Sequence, residues 1–210
     1  MTIVANKYKN IIFDLGGVIL NIDYILAVKA FKNIGIGNFD ELFSQAHQKK
    51  LFDQYEKGQI SSADFRTELK KYCKANVDDA TIDAAWNSML LDLPKARLEL
   101  LMRLKKTHRT FLLSNTNEIH IDTFNAYLQN VFKIPDLSGH FESLYLSYKV
   151  GMRKPDAEIF ELVLKENNIQ PTETLFIDDS IQHIESAKKL GIQTYWLDVK
   201  KESMIEVFTL

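Results

Sequence analysis

Four short apolar runs punctuate the chain, and each stops at polar residues: Ile11-Ile12-Phe13 before Asp14, Thr110–Leu113 before Ser114, Leu144–Leu146 before Ser147, and Leu175–Ile177 before Asp178. Short unbroken apolar runs rich in β-formers read as strands buried on both faces, the pattern of a parallel sheet. A fifth run, Thr194–Leu197, follows Gly191. Helical periodicity fills the gaps. Pro94 opens one stretch with Leu98, Leu101 and Met102 on a stripe, and Pro155 opens another with Ile159, Phe160, Val163 and Leu164 aligned. Ser180 stands where it would cap a third, with Ile184, Ala187 and Leu190 inward and Gly191 at the C-terminal end. Strand alternating with helix predicts an α/β fold with a Rossmann-like open parallel sheet.

Residues 21–91 break this rhythm with consecutive helical stripes: Tyr24, Val28 and Phe31; Leu51, Phe52 and Tyr55; Phe65, Leu69 and Tyr72; Ile82, Trp86 and Met89. The pattern predicts an inserted helical bundle entering after the first strand, at the carboxyl end of the sheet where such folds bind ligands. A bundle there is placed to act as a lid. The expected domains are a core of residues 1–20 and 92–210 and a helical cap of residues 21–91.

Composition narrows the function classes. The 210 residues carry 26 Lys+Arg against 28 Asp+Glu, a net charge of −2, with 46% hydrophobic residues. That excludes a disordered chain and argues against a nucleic-acid binder, which needs a basic excess on one face. The basic pairs Lys49-Lys50, Lys70-Lys71, Lys105-Lys106, Lys188-Lys189 and Lys200-Lys201 are scattered and read as solvated helix faces. The single Cys73 cannot form an internal disulfide, fits a reducing compartment, and is expected in the core of a helix. The run Ile11–Leu20 is interrupted by Asp14 and two glycines, so it is neither a signal segment nor a membrane span. A soluble cytoplasmic protein follows, and with no heptad or exposed apolar stripe a monomer is expected.

If the strands are parallel, Asp14, Ser114-Asn115, Lys154 and Asp178-Asp179 converge in one crevice. A polar residue at a strand end is most often a turn former or a helix cap. A carboxylate, a hydroxyl, an amine and a carboxylate pair at four strand ends are harder to assign to turns.

On these residues the chain resembles the haloacid dehalogenase superfamily. Phe13-Asp14-Leu15-Gly16-Gly17-Val18 is similar to its first motif, Leu113-Ser114-Asn115-Thr116-Asn117 to its second, Gly151-Met152-Arg153-Lys154-Pro155 to its third, and Phe176-Ile177-Asp178-Asp179-Ser180 to its fourth. The insertion lies where the superfamily places its type 1 cap. Within it, the motifs most resemble the bacterial phosphatases of alpha-D-glucose 1-phosphate. The resemblance implies a Mg²⁺-dependent phosphatase of a small phosphorylated metabolite. It implies that Asp14 attacks phosphorus, that Asp14, the Gly16 carbonyl and Asp179 hold the metal, and that Asp178 acts mainly through metal-bound water. It further implies that Ser114 and the Asn115 N–H bind the phosphoryl oxygens, with Lys154 between nucleophile and phosphate. These are sound assignments chemically: carboxylates and carbonyls are hard ligands suited to Mg²⁺, and a nucleophilic carboxylate splits one displacement into two.

Charge favours the metal. Asp14, Asp178 and Asp179 with Lys154 leave −2 in the crevice, and each like-charge pair at about 4 Å costs about 4 kcal/mol at an effective dielectric near 20. The same repulsion ranks a metal-free haloacid dehalogenase below a phosphatase. A receiver-like signalling module has its acidic pair first and its phosphorylated Asp later, the reverse of the order here.

The chain departs from the superfamily's usual Asp-x-Asp at Gly16, where the second Asp serves as acid and base. General acid–base catalysis contributes about 10² to 10⁴ in rate. Either the substrate has a leaving group that departs readily, as a sugar 1-phosphate does, or another residue or water carries the proton, or the protein binds sugar phosphate without turnover. Among other polar residues, His120, one helical turn after Asn117, either faces the crevice or, the favoured reading, is a helix-surface group or a support behind it. Asn21 and Asp23 read as caps. Glu56–Ser61 is either a loop over the site or a helix-ending glycine followed by a Ser61 cap. Arg153 either binds substrate or is solvated, and Trp86 and Trp196 are expected in the core.

Overall fold

A computed structural model describes residues 3–36, 46–73 and 76–209. Its strands are β1 (Ile3–Val4), β2 (Asn10–Phe13), β3 (Arg109–Ser114), β4 (Ser143–Leu146), β5 (Thr174–Asp178), β6 (Gln193–Trp196) and β7 (Phe208–Thr209). The five apolar runs supply β2 to β6, which form one parallel sheet in the order β4-β3-β2-β5-β6. Strands β1 and β7 pair separately, and their two-residue length leaves no periodicity to read in the sequence.

The helices are α1 (Tyr24–Asn33), α2 (Ala46–Glu56), α3 (Ser62–Lys70), α4 (Asp79–Asn87), α5 (Lys95–Leu104), α6 (Glu118–Phe132), α7 (Ser147–Val150), α8 (Ala157–Asn167), α9 (Ile181–Lys189) and α10 (Met204–Val207). The sheet alternates strictly in what each face receives. Ile11, Phe13, Leu112, Leu175 and Ile177 pack with Leu101 and Leu104 of α5 and Phe124 and Leu128 of α6. Ile12, Phe111, Leu113 and Phe176 pack on the opposite face with Phe160 and Val163 of α8 and Ile184 and Ala187 of α9.

Between β2 and α5, helices α1 to α4 gather around an aromatic cluster of their own. The Phe52 ring centroid lies 5.4 Å from Phe65 and 5.2 Å from Trp86, and Tyr55 stacks on Phe65 at 4.1 Å. The two chain segments joining these helices to the sheet run side by side, with Leu91 N–H on Asn21 O at 3.0 Å and Asp23 N–H on Met89 O at 2.9 Å. Asp23 caps α1 as expected, accepting from Ile25 N–H at 2.9 Å. Asn21 instead uses its side chain to join the two segments, donating to Asp92 at 3.0 Å.

Several positions differ from the pattern read in the sequence. Helix α3 ends at Lys70, so Tyr72 falls outside its stripe and is exposed, and Cys73 lies in the turn beyond the helix, half-buried against the aromatic cluster. The buried stripe of α5 is centred on Leu101 and Leu104, which turns Met102 outward. Trp86 is buried, but Trp196 is 43% exposed and donates its indole N–H to Asp179 O at 2.9 Å. The Ser180 hydroxyl makes no capping bond. The lysines of the basic pairs are exposed or half-buried, with the side chain of Lys49 outside the described residues. Among the described residues no helix is long and apolar enough to cross a membrane.

Candidate active site

From β2 the chain moves towards β3 and β4, whereas from β5 it moves towards β6, so β2 and β5 flank the point where the winding direction reverses. Their carboxyl ends open the crevice in which ligands of such sheets bind. Asp14 leaves β2 with its N–H bonded to Ile177 O at 3.0 Å, which sets it beside Asp178 at the end of β5.

Lys154 joins them. Its Nζ is fully buried and donates at 2.7 Å to Asp14 Oδ1 and at 2.7 Å to Asp178 Oδ2. The loop bearing Lys154 is clasped by Asn115 at the end of β3: the Asn115 amide donates to Lys154 O at 2.8 Å and accepts from Lys154 N–H at 2.8 Å. The Asn115 side chain is thus spent on seating the lysine. Ser114 is buried beside it, and its hydroxyl makes a long 3.4 Å bond to Asn115 O that a better acceptor would displace. Thr116 is tied to Ser147 by two 2.9 Å bonds, which fixes β3 against the β4 loop.

Asp178 receives more bonds than its neighbours. Besides Lys154, Ser180 N–H donates to Oδ1 at 2.7 Å and His183 Nδ1 lies 3.0 Å from each oxygen. The Ser180 N–H at the start of α9 is thereby satisfied by Asp178, two residues upstream, and the Ser180 hydroxyl is not needed as a cap. Asp179 stands close to Gly17, which has φ 77°; a Cβ at Gly17 would lie 2.4 Å from Asp179 Oδ2. Only glycine fits that turn.

Electrostatics separate the three carboxyls. Burial pushes Asp14 up to about 7, against the attraction of Lys154 and with added repulsion from Asp178 and Asp179. Burial and the Asp178 charge push Asp179 up to about 6. Burial acts upward on Asp178 too, but Lys154 and His183 outweigh it and hold Asp178 below the usual carboxylate range. Burial likewise opposes the Lys154 charge, and Asp14 and Asp178 outweigh it and hold that pKa above normal. Asp14, Asp178 and Asp179 each offer an oxygen, all within 4.8 Å of one another. One buried ammonium facing three clustered hard oxygen donors, two of them forced towards neutrality, is a donor set short of positive charge and fitted to a small divalent ion.

The remaining residues resolve differently. Arg153 is held by the inserted helices, paired with Asp53 and, at 2.8 Å, with Glu56 of α2. His120 is buried, its ring stacked on Trp86 at 4.6 Å with Nε2 3.2 Å from Trp86 O and Nδ1 3.1 Å from the Asn117 amide. Burial holds its pKa down to about 4, so it is a neutral bracket between α6 and α4. The tract Glu56–Ser61 follows the helix-end and cap reading, and it also packs against the loop after β4. Gly58 ends α2 with φ 63° and Ser61 caps α3 in a reciprocal capping box, while Gly58 lies so close to the β4 loop that a Cβ would sit 2.2 Å from Tyr148 O. The sequence reading missed His183. It is the third residue of α9, where a side chain reaches back past the helix start, and that position was the available signal.

Residues 8–191 match the haloacid dehalogenase-like hydrolases as a family. The chain belongs to that family. Its first-motif, second-motif, third-motif and fourth-motif residues are the ones the sheet brings together. Among relatives in the family, a D-ribitol-5-phosphate phosphatase of Bacteroides thetaiotaomicron is 34% identical over 187 residues, covering 89% of this chain and 90% of the relative. A sesquiterpene phosphatase of Aspergillus oryzae is 28% identical over 191 residues, covering 90% of this chain and 89% of the relative. A solved haloacid dehalogenase family enzyme from Bacteroides thetaiotaomicron, in complex with magnesium and inorganic phosphate, is 41% identical with a TM-score of 0.83, covering 93% of this chain and 96% of that one.

Proposed function

We propose that this chain is a magnesium-dependent phosphatase that hydrolyses a small phosphorylated sugar or sugar alcohol through an aspartyl-phosphate on Asp14. The observation that carries the reading is the buried Lys154 ammonium, 2.7 Å from both Asp14 and Asp178, with Asp179 completing a carboxylate cluster. The phosphatase relatives and the magnesium and phosphate complex of the solved family member support it.

Asp14, the Gly16 carbonyl and Asp179 would hold the metal, with Asp178 acting through metal-bound water; when bound, the ion neutralises the carboxylates and stabilises charge on the phosphoryl group. The Asp14 carboxylate oxygen attacks phosphorus while the bond to the substrate's leaving oxygen breaks. Lys154 favours the ionised form of Asp14 against its burial and aligns it, and Ser114 with the Asn115 N–H bonds the phosphoryl oxygens. The leaving oxygen takes its proton from water, because Gly16 offers no acid. Water then attacks phosphorus and the Asp14–phosphorus bond breaks, which returns the free carboxylate and inorganic phosphate. Residues 21–91 act as a cap domain over the core of residues 1–20 and 92–210, and substrate choice lies in the cap.

Two substrate chemistries fall within this reading. Gly16 favours an easily expelled anomeric oxygen, as in alpha-D-glucose 1-phosphate, and the ribitol-phosphate relative favours a five-carbon polyol phosphate. Phosphate release from alpha-D-glucose 1-phosphate, glucose 6-phosphate and D-ribitol 5-phosphate, with and without magnesium, is the test. Metal-dependent release from at least one is expected, with a loss of about 10³ or more in Asp14→Asn. Binding without release from any of them would make the protein a sugar-phosphate binder instead.

A further inference from the structure

His183 has no part in the chemistry above, yet it touches the carboxylate on which Lys154 rests. Asp178 is fully buried, with Oδ1 accepting from Ser180 N–H and Oδ2 from Lys154 Nζ, so both of its oxygens act as acceptors. The ring nitrogen 3.0 Å from each of them is therefore an N–H donor bridging the carboxylate. Ser180 N–H, at 2.7 Å, meets Oδ1 alone, and Lys154, which must itself be held in place, meets Oδ2 alone. A donor shared between both oxygens fixes the plane. That plane matters because Oδ2 is one of the two acceptors of the buried Lys154 ammonium, the other being Asp14 Oδ1.

We propose that His183 is a positioning residue of the active site: by donating Nδ1–H across the Asp178 carboxylate it fixes the oxygen that holds Lys154 against Asp14. The chain of contact is His183, Asp178, Lys154, Asp14, with each link at 2.7 or 3.0 Å. It connects a residue of the α9 surface, 17% exposed in its side chain, to the nucleophile through two buried side chains. The proposal rests on the phosphatase reading for the role of Lys154, but its geometry does not.

The test compares the parent with His183→Ala and His183→Asn, the latter able to put an amide N–H near the Nδ1 position. Two quantities are read: kcat and KM on the best substrate of the panel, and the Kd of inorganic phosphate in the presence of magnesium by calorimetry. Removal of such a supporting partner costs about 10- to 100-fold in affinity or activity. His183→Ala is expected to lower kcat by about 10-fold or more and to weaken phosphate binding, with a melting temperature close to the parent's, while His183→Asn recovers both to within about 3-fold. His183→Ala equal to the parent in both, or His183→Asn as impaired as His183→Ala, overturns the proposal, the second because it makes the ring a packing group. A parent that binds phosphate and hydrolyses nothing overturns the phosphatase reading alone, and the affinities still decide on His183. A parent that does neither overturns both.

Discussion

Gly16 leaves the loop after β2 without a proton donor, and its surroundings tell what an added carboxyl would meet. A Cβ there would approach Ile22 Cδ1 at 3.1 Å and nothing closer, with no backbone among the nearest atoms. Ile22 is 36% exposed, so its side chain has room to turn aside. His120 lines the same cleft of about 70 Å³ but cannot serve in place of an acid, since both ring nitrogens are engaged and its pKa is near 4. Gly16→Asp is therefore expected to fold and to raise kcat on a poor leaving group, such as ribitol 5-phosphate, by about 10² more than on p-nitrophenyl phosphate, whose leaving group needs no proton. Steady-state kinetics on the two substrates check this; an equal gain on both would mean that proton donation is not what the site lacks. The candidate residues at the strand ends were legible as a set, because short apolar runs ending in Asp14, Ser114 and Asp178 expose the sheet's carboxyl edge. The partners of those residues were not. Arg153 and Asp53 are 100 residues apart in sequence and meet only because the insertion folds back on the core.

Between elements, the contact of α2 with the loop carrying Lys154 is the feature that couples the inserted helices to the sheet. Arg153 pairs with Asp53 and Glu56, Lys57 pairs with Asp156 at 2.8 Å, and the Gly58 backbone lies against Tyr148. Farther along, Ser62 at the start of α3 donates to Glu118 at 2.5 Å, and Tyr55 accepts Ile119 N–H at 3.3 Å. Gly58→Ala tests this seam, since the methyl group would meet Tyr148 O at 2.2 Å and the residue has φ 63°. The expected result is a loss of about 1–3 kcal/mol in urea unfolding and a rise in KM larger than the change in kcat, because the inserted helices would seat less well against the loops at the sheet's carboxyl edge. A parent-like KM in a destabilised Gly58→Ala would uncouple the seam from substrate binding. Arg153→Ala is expected to act in the same direction on KM, measured in the same assay. The sequence shows why the element level was only partly readable. Periodicity located α1, α2, α3 and α4 through Phe31, Phe52, Phe65 and Trp86, but helix ends depend on caps and turns, so Tyr72 and Cys73 fell beyond α3. The exposure of Trp196 follows from β6 standing at the edge of the sheet, which an apolar run cannot reveal.

For the molecule as a whole, the net charge of −2 says little, whereas the buried cluster makes stability depend on protons and metal together. Asp14 is raised from 3.8 to about 7 in the folded chain, so between those values the folded state binds a proton that the unfolded state has released. Its stabilising contribution is complete below about pH 4 and is lost as pH rises through about 7. His120, lowered from 6.5 to about 4, acts in the opposite sense, favouring the folded state as pH rises. Asp179, raised to about 6, acts in the same sense as Asp14, so a simple melting curve of the protein mixes all three. Comparison with Asp14→Asn isolates the Asp14 part, because His120 and Asp179 are present in both chains and the substituted amide does not titrate at all. In metal-free buffer the parent is expected to lose stability relative to Asp14→Asn as pH is raised from 4 to 8, by up to about 4 kcal/mol, or roughly 10 °C in melting temperature. Magnesium at pH 8 should restore the parent far more than the variant, since it supplies the positive charge for which the proton had substituted, and at pH 4 it should do little to either. Calorimetric melting with chelator or magnesium across this range reads the difference directly. A gap between parent and variant that stays constant with pH and indifferent to magnesium would mean that Asp14 is not the titrating, metal-seeking carboxylate that its burial beside Asp178 and Asp179 makes it.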